Sequence, residues 1–195
     1  LPSQERSRAL VEALLVATAR VLATKGEGGL TTNAIAQVAG VSIGSVYQYF
    51  PDKQALVAAL IERKAERDLE ELGPVLRVVD GSGGVRGALR RAIEGLVMLH
   101  RRDLALMQAL LRLVSKVGAY DRVRRIARQG HEAVKALLGS MPSAADEAEI
   151  DRTAFLLFHA LEHWMHMAVL ERPDLLDDPR FVDAIERVLL SLLPA

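Results

Sequence analysis

Two short stretches of this 195-residue chain carry side chains whose types and spacing suit chemistry. The first is "HALEHWMH", residues 159–166. On a helix, His159, Glu162, His163 and His166 fall at i, i+3, i+4 and i+7, so they share one face. Imidazoles and a carboxylate so placed can bind a metal or exchange protons, and His159-x-x-Glu162-His163 is an inverted form of the zinc-protease motif. The second is "VSIGSVYQYFPDK", residues 41–53, which carries hydroxyls and aromatic rings but no charge before Asp52. These groups suit hydrogen bonding and ring contact rather than bond breaking.

The elements that must position these groups are helices. Leu, Ala, Val, Glu and Arg dominate the chain, β-branched runs are scarce, and half the residues are hydrophobic. That composition favours helix over strand and supplies a substantial core. Leu10, Val11, Leu14, Leu15, Thr18, Val21 and Leu22 recur at helical spacing and predict an amphipathic helix over 4–25. Gly26 stops it. Thr31 is the N-cap candidate for a short helix ending near Ala39, Gly40 turns the chain, and Ser42 caps a helix over 43–49. Pro51 breaks that helix, and Asp52 caps a long one running toward Leu72 and ending before Pro74. "DGSGG" at 80–84 is the clearest composition break. Further helices are predicted at 85–100, 103–116, 119–138, 144–171 and 179–193. Ser143 with Asp146 forms a capping-box pattern, and Asp178 with Pro179 forms a cap followed by an N1 proline.

The chain lacks Cys, which excludes disulfides, thiolate metal sites and cysteine nucleophiles. No run reaches the roughly 18 apolar residues of a membrane span. "ALLVATA" at 13–19 is apolar, but acidic Glu5 and Glu12 precede it and its helical periodicity continues beyond it, so a cytoplasmic location is expected. Net charge is zero but uneven: residues 86–135 hold twelve Lys/Arg against four Asp/Glu, and residues 136–195 hold four against eleven. Residues 28–51 hold no formal charge.

Two helices of about eight residues joined by a Gly turn bury too little surface alone. They need the flanking helices, and Ala36, Val41, Val46 and Phe50 suit the shared core. This is the helix-turn-helix arrangement, whose second helix offers side chains to the DNA major groove. Gly44 then allows close backbone approach. Ser45 can bond a base edge or a phosphate, and Tyr47 can pack its ring on a sugar or a thymine methyl. Thr32 and Tyr49 can reach phosphates, with Lys53 as a phosphate cation. Asn33 and Ser42 complete the candidate DNA-binding set.

The stretch "LTTNAIAQVAGVSIGSVYQYFPDKQALVAAL", residues 30–60, resembles the DNA-binding signature of the TetR family of bacterial repressors. The matching positions are Thr31 and Thr32, Ile35-Ala36, Ala39 to Ser42, Gly44-Ser45, Tyr47, Tyr49-Phe50, Lys53 and Leu56. Beyond residue 60 the resemblance is architectural. It implies an all-α protein with a helix-turn-helix DNA-binding domain at 1–54 and a helical ligand-binding and dimerisation domain at 55–195. It further implies a homodimer on a near-palindromic double-stranded operator, released by a small apolar or amphipathic inducer, with no cofactor and no catalysis.

Met98, Met107, Leu110, Leu111, Phe158 and Trp164 are candidates to line the inducer pocket, with His159 and His163 as its polar groups. Leu157, Leu161, Phe181, Ile185, Val188, Leu189 and Leu192 form apolar stripes on the last two helices, and two such pairs would build a four-helix dimer interface. The competing function is a helical metal- or ligand-binding enzyme using the His159–His166 face. Phe155 and Phe158 extend that face and no second acidic ligand helix is evident, so no metal is assigned and a pocket-lining role is favoured.

Overall fold

A computed structural model describes residues 2–77, 84–140 and 145–193. The described residues form helices and turns with no strand. The helices are α1 (Pro2–Lys25), α2 (Thr32–Ala39), α3 (Ile43–Tyr49), α4 (Lys53–Arg77), α5 (Gly84–Arg102), α6 (Leu104–Leu113), α7 (Tyr120–Gly139), α8 (Glu147–Glu171) and α9 (Pro179–Leu190). Short 3-10 turns at Glu27–Gly29 and Pro173–Asp177 precede α2 and α9. None of the described helices is long and apolar enough to cross a membrane.

Most boundaries follow the sequence signals; α6 and α9 end three residues earlier than predicted, at Leu113 and Leu190, and α4 and α8 differ as well. The fourth helix runs through Pro74 to Arg77 instead of stopping before the proline. Pro74 lies within the last turn, where its missing N–H removes one bond and little helix remains to be disrupted. The eighth helix starts at Glu147 with Asp146 as N-cap, its carboxylate accepting from the Glu149 amide at 2.8 Å. Ser143, and most of the 80–84 break, lie outside the described residues.

The chain divides into two compact units, residues up to 64 with 105–123, and 65–104 with 124 onward. The first unit therefore combines α1, α2, α3 and the start of α4 with nearly all of α6. Its core joins Leu14, Val21 and Leu22 of α1, Ile35 and Ala36 of α2, Val46 of α3, Phe50, and Leu56 and Ile61 of α4. Leu110 and Leu113 of α6, with Ala119, complete the same cluster. Ion pairs reinforce it from outside, Lys116 with Glu27 at 3.0 Å and Arg122 with Glu62 at 3.1 Å.

In the second unit α5 packs against α8 and α9. Ile93, Leu99, Leu157, Met165, Val169 and Leu189 are among its fully or nearly fully buried side chains. Glu186 of α9 is only 3% exposed, and its carboxylate receives Arg86 at 3.0 Å and Arg90 at 2.9 Å from α5. A carboxylate so buried requires cations of this kind. Between α7 and α8, Gly130 lies against the Phe158 ring, where any β-carbon would overlap it. Lys135 and Asp151 pair at 2.9 Å beside this contact.

Candidate nucleic-acid interface

The helix-turn-helix is assembled by local bonds that the residue types dictate. The Thr31 hydroxyl accepts from the Ala34 amide at 3.1 Å and starts α2. Gly40 ends it at φ +69°, a left-handed position that favours glycine. The Val41 amide then donates to the Ala36 carbonyl at 3.0 Å, closing the turn. Ser42 caps α3 by accepting from the Ser45 amide at 3.1 Å, and Asp52 caps α4 by accepting from Ala55 at 2.8 Å. Val46 and Phe50 anchor α3 in the core, while Ser42, Gly44, Tyr47 and Gln48 remain exposed.

Several predicted contact residues are brought together. The Tyr47 hydroxyl stands 3.3 Å from the Thr32 hydroxyl, linking α3 to the first turn of α2. The Ser42 and Ser45 hydroxyls are 2.8 Å apart. Lys53 is exposed, with its ammonium donating to the Leu30 carbonyl at 3.4 Å. Asn33 is exposed in the first turn of α2. Tyr49 differs from the expectation. It is half-buried, and its hydroxyl donates to Ser7 of α1 at 3.1 Å, so it serves to hold α1 against α3. Ser7 lies 42 residues away and carried no sequence signal. Ile43 was also missed: it opens α3, yet it is 38% exposed instead of packing into the core.

The second chemical stretch lies on α8. His159 meets Phe155 at a tilt and Phe158 edge-on, with ring centroids 4.5 and 5.2 Å away, and Phe155 meets His131 of α7 edge-on at 6.1 Å. His166 faces His100 of α5 at 5.6 Å. The His100 Nδ1 is 2.8 Å from the Leu96 carbonyl, which favours the tautomer with its proton on Nδ1. Burial alone pushes the Glu162 carboxyl up to about 7. Burial first, and then the neighbouring His100 and His163, push His166 down to about 4, with Asp68 opposing. Burial and His131 lower His159 as well. Among the described residues no group of three or more His, Asp or Glu side chains is arranged to hold a metal ion.

The remaining expected residues divide by unit. Met107, Leu110 and Leu111 belong to the first unit, and Leu110 is buried in the core that supports α3. Met98, Phe158, His159, His163 and Trp164 belong to the second. Met98 is 55% exposed, whereas Phe158 and Trp164 are half-buried. Leu157, Leu161, Ile185 and Leu189, expected at a subunit interface, are buried inside their own protomer. The exposed large apolar side chains of these helices are Phe155, Leu156 and Val188, with Phe181 half-buried on α9 and Leu192 half-buried in the turn that follows it.

Residues 14–60 match the family model for bacterial regulatory proteins of the tetR family, and residues 86–193 match that for the tetracyclin repressor-like C-terminal domain. Solved structures share the fold over nearly the whole chain. A TetR-family transcriptional regulator from Streptomyces coelicolor is 25% identical with a TM-score of 0.70, covering 96% of this chain and 97% of its own. A TetR-like transcriptional regulator from Rhodococcus sp. RHA1 is 25% identical with a TM-score of 0.61, covering 93% and 92%. A TetR transcription regulator from Haloarcula marismortui is 20% identical with a TM-score of 0.72, covering 95% and 97%. No curated protein sequence matches significantly.

Proposed function

This chain belongs to the TetR family of bacterial regulatory proteins, and on that premise we propose that it is a ligand-released repressor acting as a homodimer on a near-palindromic operator. The observation that carries the DNA-binding part is the outer side of α3, where uncharged side chains stand exposed on a short helix fixed by Ser42, Gly40 and the core residues Val46 and Phe50. Such a surface suits base edges better than phosphates. Lys53, exposed at the start of α4, supplies a phosphate contact. Selection of bound duplexes from a random library by the purified chain tests this reading directly. Enrichment of an inverted repeat is expected, and enrichment of nothing would refute it.

Dimerisation falls to the exposed stripe of α8 and α9. Leu156 and Val188, one on each of these helices, are each 49% exposed and are the side chains a second copy would have to cover. Leu156→Glu with Val188→Glu should leave the protomer folded and shift it to a monomer in sedimentation, with loss of tight operator binding. Replacing Leu189, which is fully buried, would instead disrupt the protomer's own core.

The inducer-binding role falls to the second unit, where Phe158, Trp164, His159 and His163 combine aromatic surface with a few polar groups. His159 and His163 are exposed and Phe158 and Trp164 half-buried, and an apolar or amphipathic molecule suits that mix of side chains. The chain crosses between the units at 64/65, 104/105 and 123/124, giving ligand occupancy a covalent route to the DNA-reading unit. Release then follows if the ligand binds more tightly to the geometry that DNA disfavours.

A further inference from the structure

The first and fifth residues of α3 stand out on its outer side. Ile43 is 38% exposed and Tyr47 is 53% exposed, while Val46 of the same helix is wholly buried. Four residues apart, Ile43 and Tyr47 lie on one face of the helix about 6 Å apart. Between them Gly44 contributes no side chain, and a β-carbon there would meet only the Ser42 hydroxyl, at 3.7 Å. Residues 28–51 contain no charged side chain that could outweigh them at a base edge.

The polar groups beside them are partly engaged within the protein. The Tyr47 hydroxyl pairs with Thr32 at 3.3 Å, and Ser45 pairs with the capping Ser42 at 2.8 Å. What α3 presents in addition is aliphatic and aromatic surface. In the major groove the apolar feature of a base edge is the thymine 5-methyl group. We propose that Ile43 and Tyr47 are specificity-determining residues that read two thymine methyl groups in each half-site, within about two base-pair steps of each other.

This inference rests on the DNA-binding reading above, and its test separates the two. The probe is the duplex that the full chain enriches from a random library, remade with uracil for thymine one position at a time, symmetrically in both half-sites. Uracil keeps the pairing edge and removes only the methyl. Loss of one buried methyl should weaken binding about fourfold per contact, or about fifteenfold for a symmetric pair. Two such positions per half-site are expected. Ile43→Ala should abolish uracil sensitivity at one of them and Tyr47→Ala at the other, whereas Tyr47→Phe should keep it because the ring remains. Both sites are exposed, so the variants should melt as the parent protein does. A tightly bound duplex that tolerates uracil everywhere, or unchanged uracil sensitivity in the alanine variants, would overturn the inference and leave the DNA-binding reading standing. Equal loss in Tyr47→Phe and Tyr47→Ala would overturn the apolar role of Tyr47. Failure to enrich any duplex would remove both.

Discussion

Glu162 and His166 sit four residues apart on α8, and burial displaces both in opposite directions from their ordinary values. Glu162 is raised from 4.5 to about 7, so between these values the folded state holds a proton that the unfolded state has released. Stability contributed by this group is full below pH 4.5 and falls as pH rises toward 7. His166 is lowered from 6.5 to about 4, so between those values the unfolded state takes up a proton that the folded state refuses. Its contribution is full above pH 6.5 and falls as pH drops toward 4. Each displacement is worth at most about 3.5 kcal/mol, at roughly 1.4 kcal/mol per pH unit. From pH 4.5 to 6.5 the two slopes cancel. Glu162→Gln should expose the His166 slope, so that this variant gains up to about 2–3 kcal/mol relative to the parent as pH rises across that window. His166→Asn should show the opposite tilt. Urea unfolding followed by far-UV circular dichroism, at fixed protein concentration and several pH values, measures the differences, and groups common to all three proteins drop out. Parallel profiles for the parent and both variants would refute the assignment of buried, oppositely displaced groups.

Three further outcomes follow from local geometry. Alanine at a helical glycine ordinarily stabilises by about 1 kcal/mol, but Gly130→Ala should lower the melting point because its β-carbon overlaps Phe158. The overpacking should cost about 1–3 kcal/mol, and Phe158→Leu in the same chain should restore part of it. Gly40→Ala meets no neighbouring atom yet is held at φ +69°, so a loss of about 1–2 kcal/mol is expected from backbone strain alone; the more tolerant Gly40→Asn should lose less in thermal unfolding. Lys53→Ala should weaken binding to the selected duplex and to scrambled DNA alike and reduce the salt slope by about 1, whereas Ser45→Ala should change sequence preference at nearly constant slope, both read from titrations at several salt concentrations.

The helix-turn-helix was legible because its determinants are local. Thr31, Ser42 and Asp52 each bond an amide three residues on, and Gly40 supplies the one conformation the turn requires. Such signals lie within a few positions of the structure they specify. The outward faces of the later helices were not legible in the same way. Residues 153–169 of α8 carry apolar side chains on nearly every side, so periodicity permits either Leu157 and Leu161 or Phe155 and Leu156 to face the core. Packing against α5 and the Pro173–Asp177 turn chose the former. The place of α6 in the first unit, the tie from Tyr49 to Ser7, and the opposed displacements of Glu162 and His166 are likewise tertiary. Helical spacing puts His159, Glu162, His163 and His166 on one face, but how far each loses water depends on neighbours from other helices, and desolvation is what moves their proton affinities.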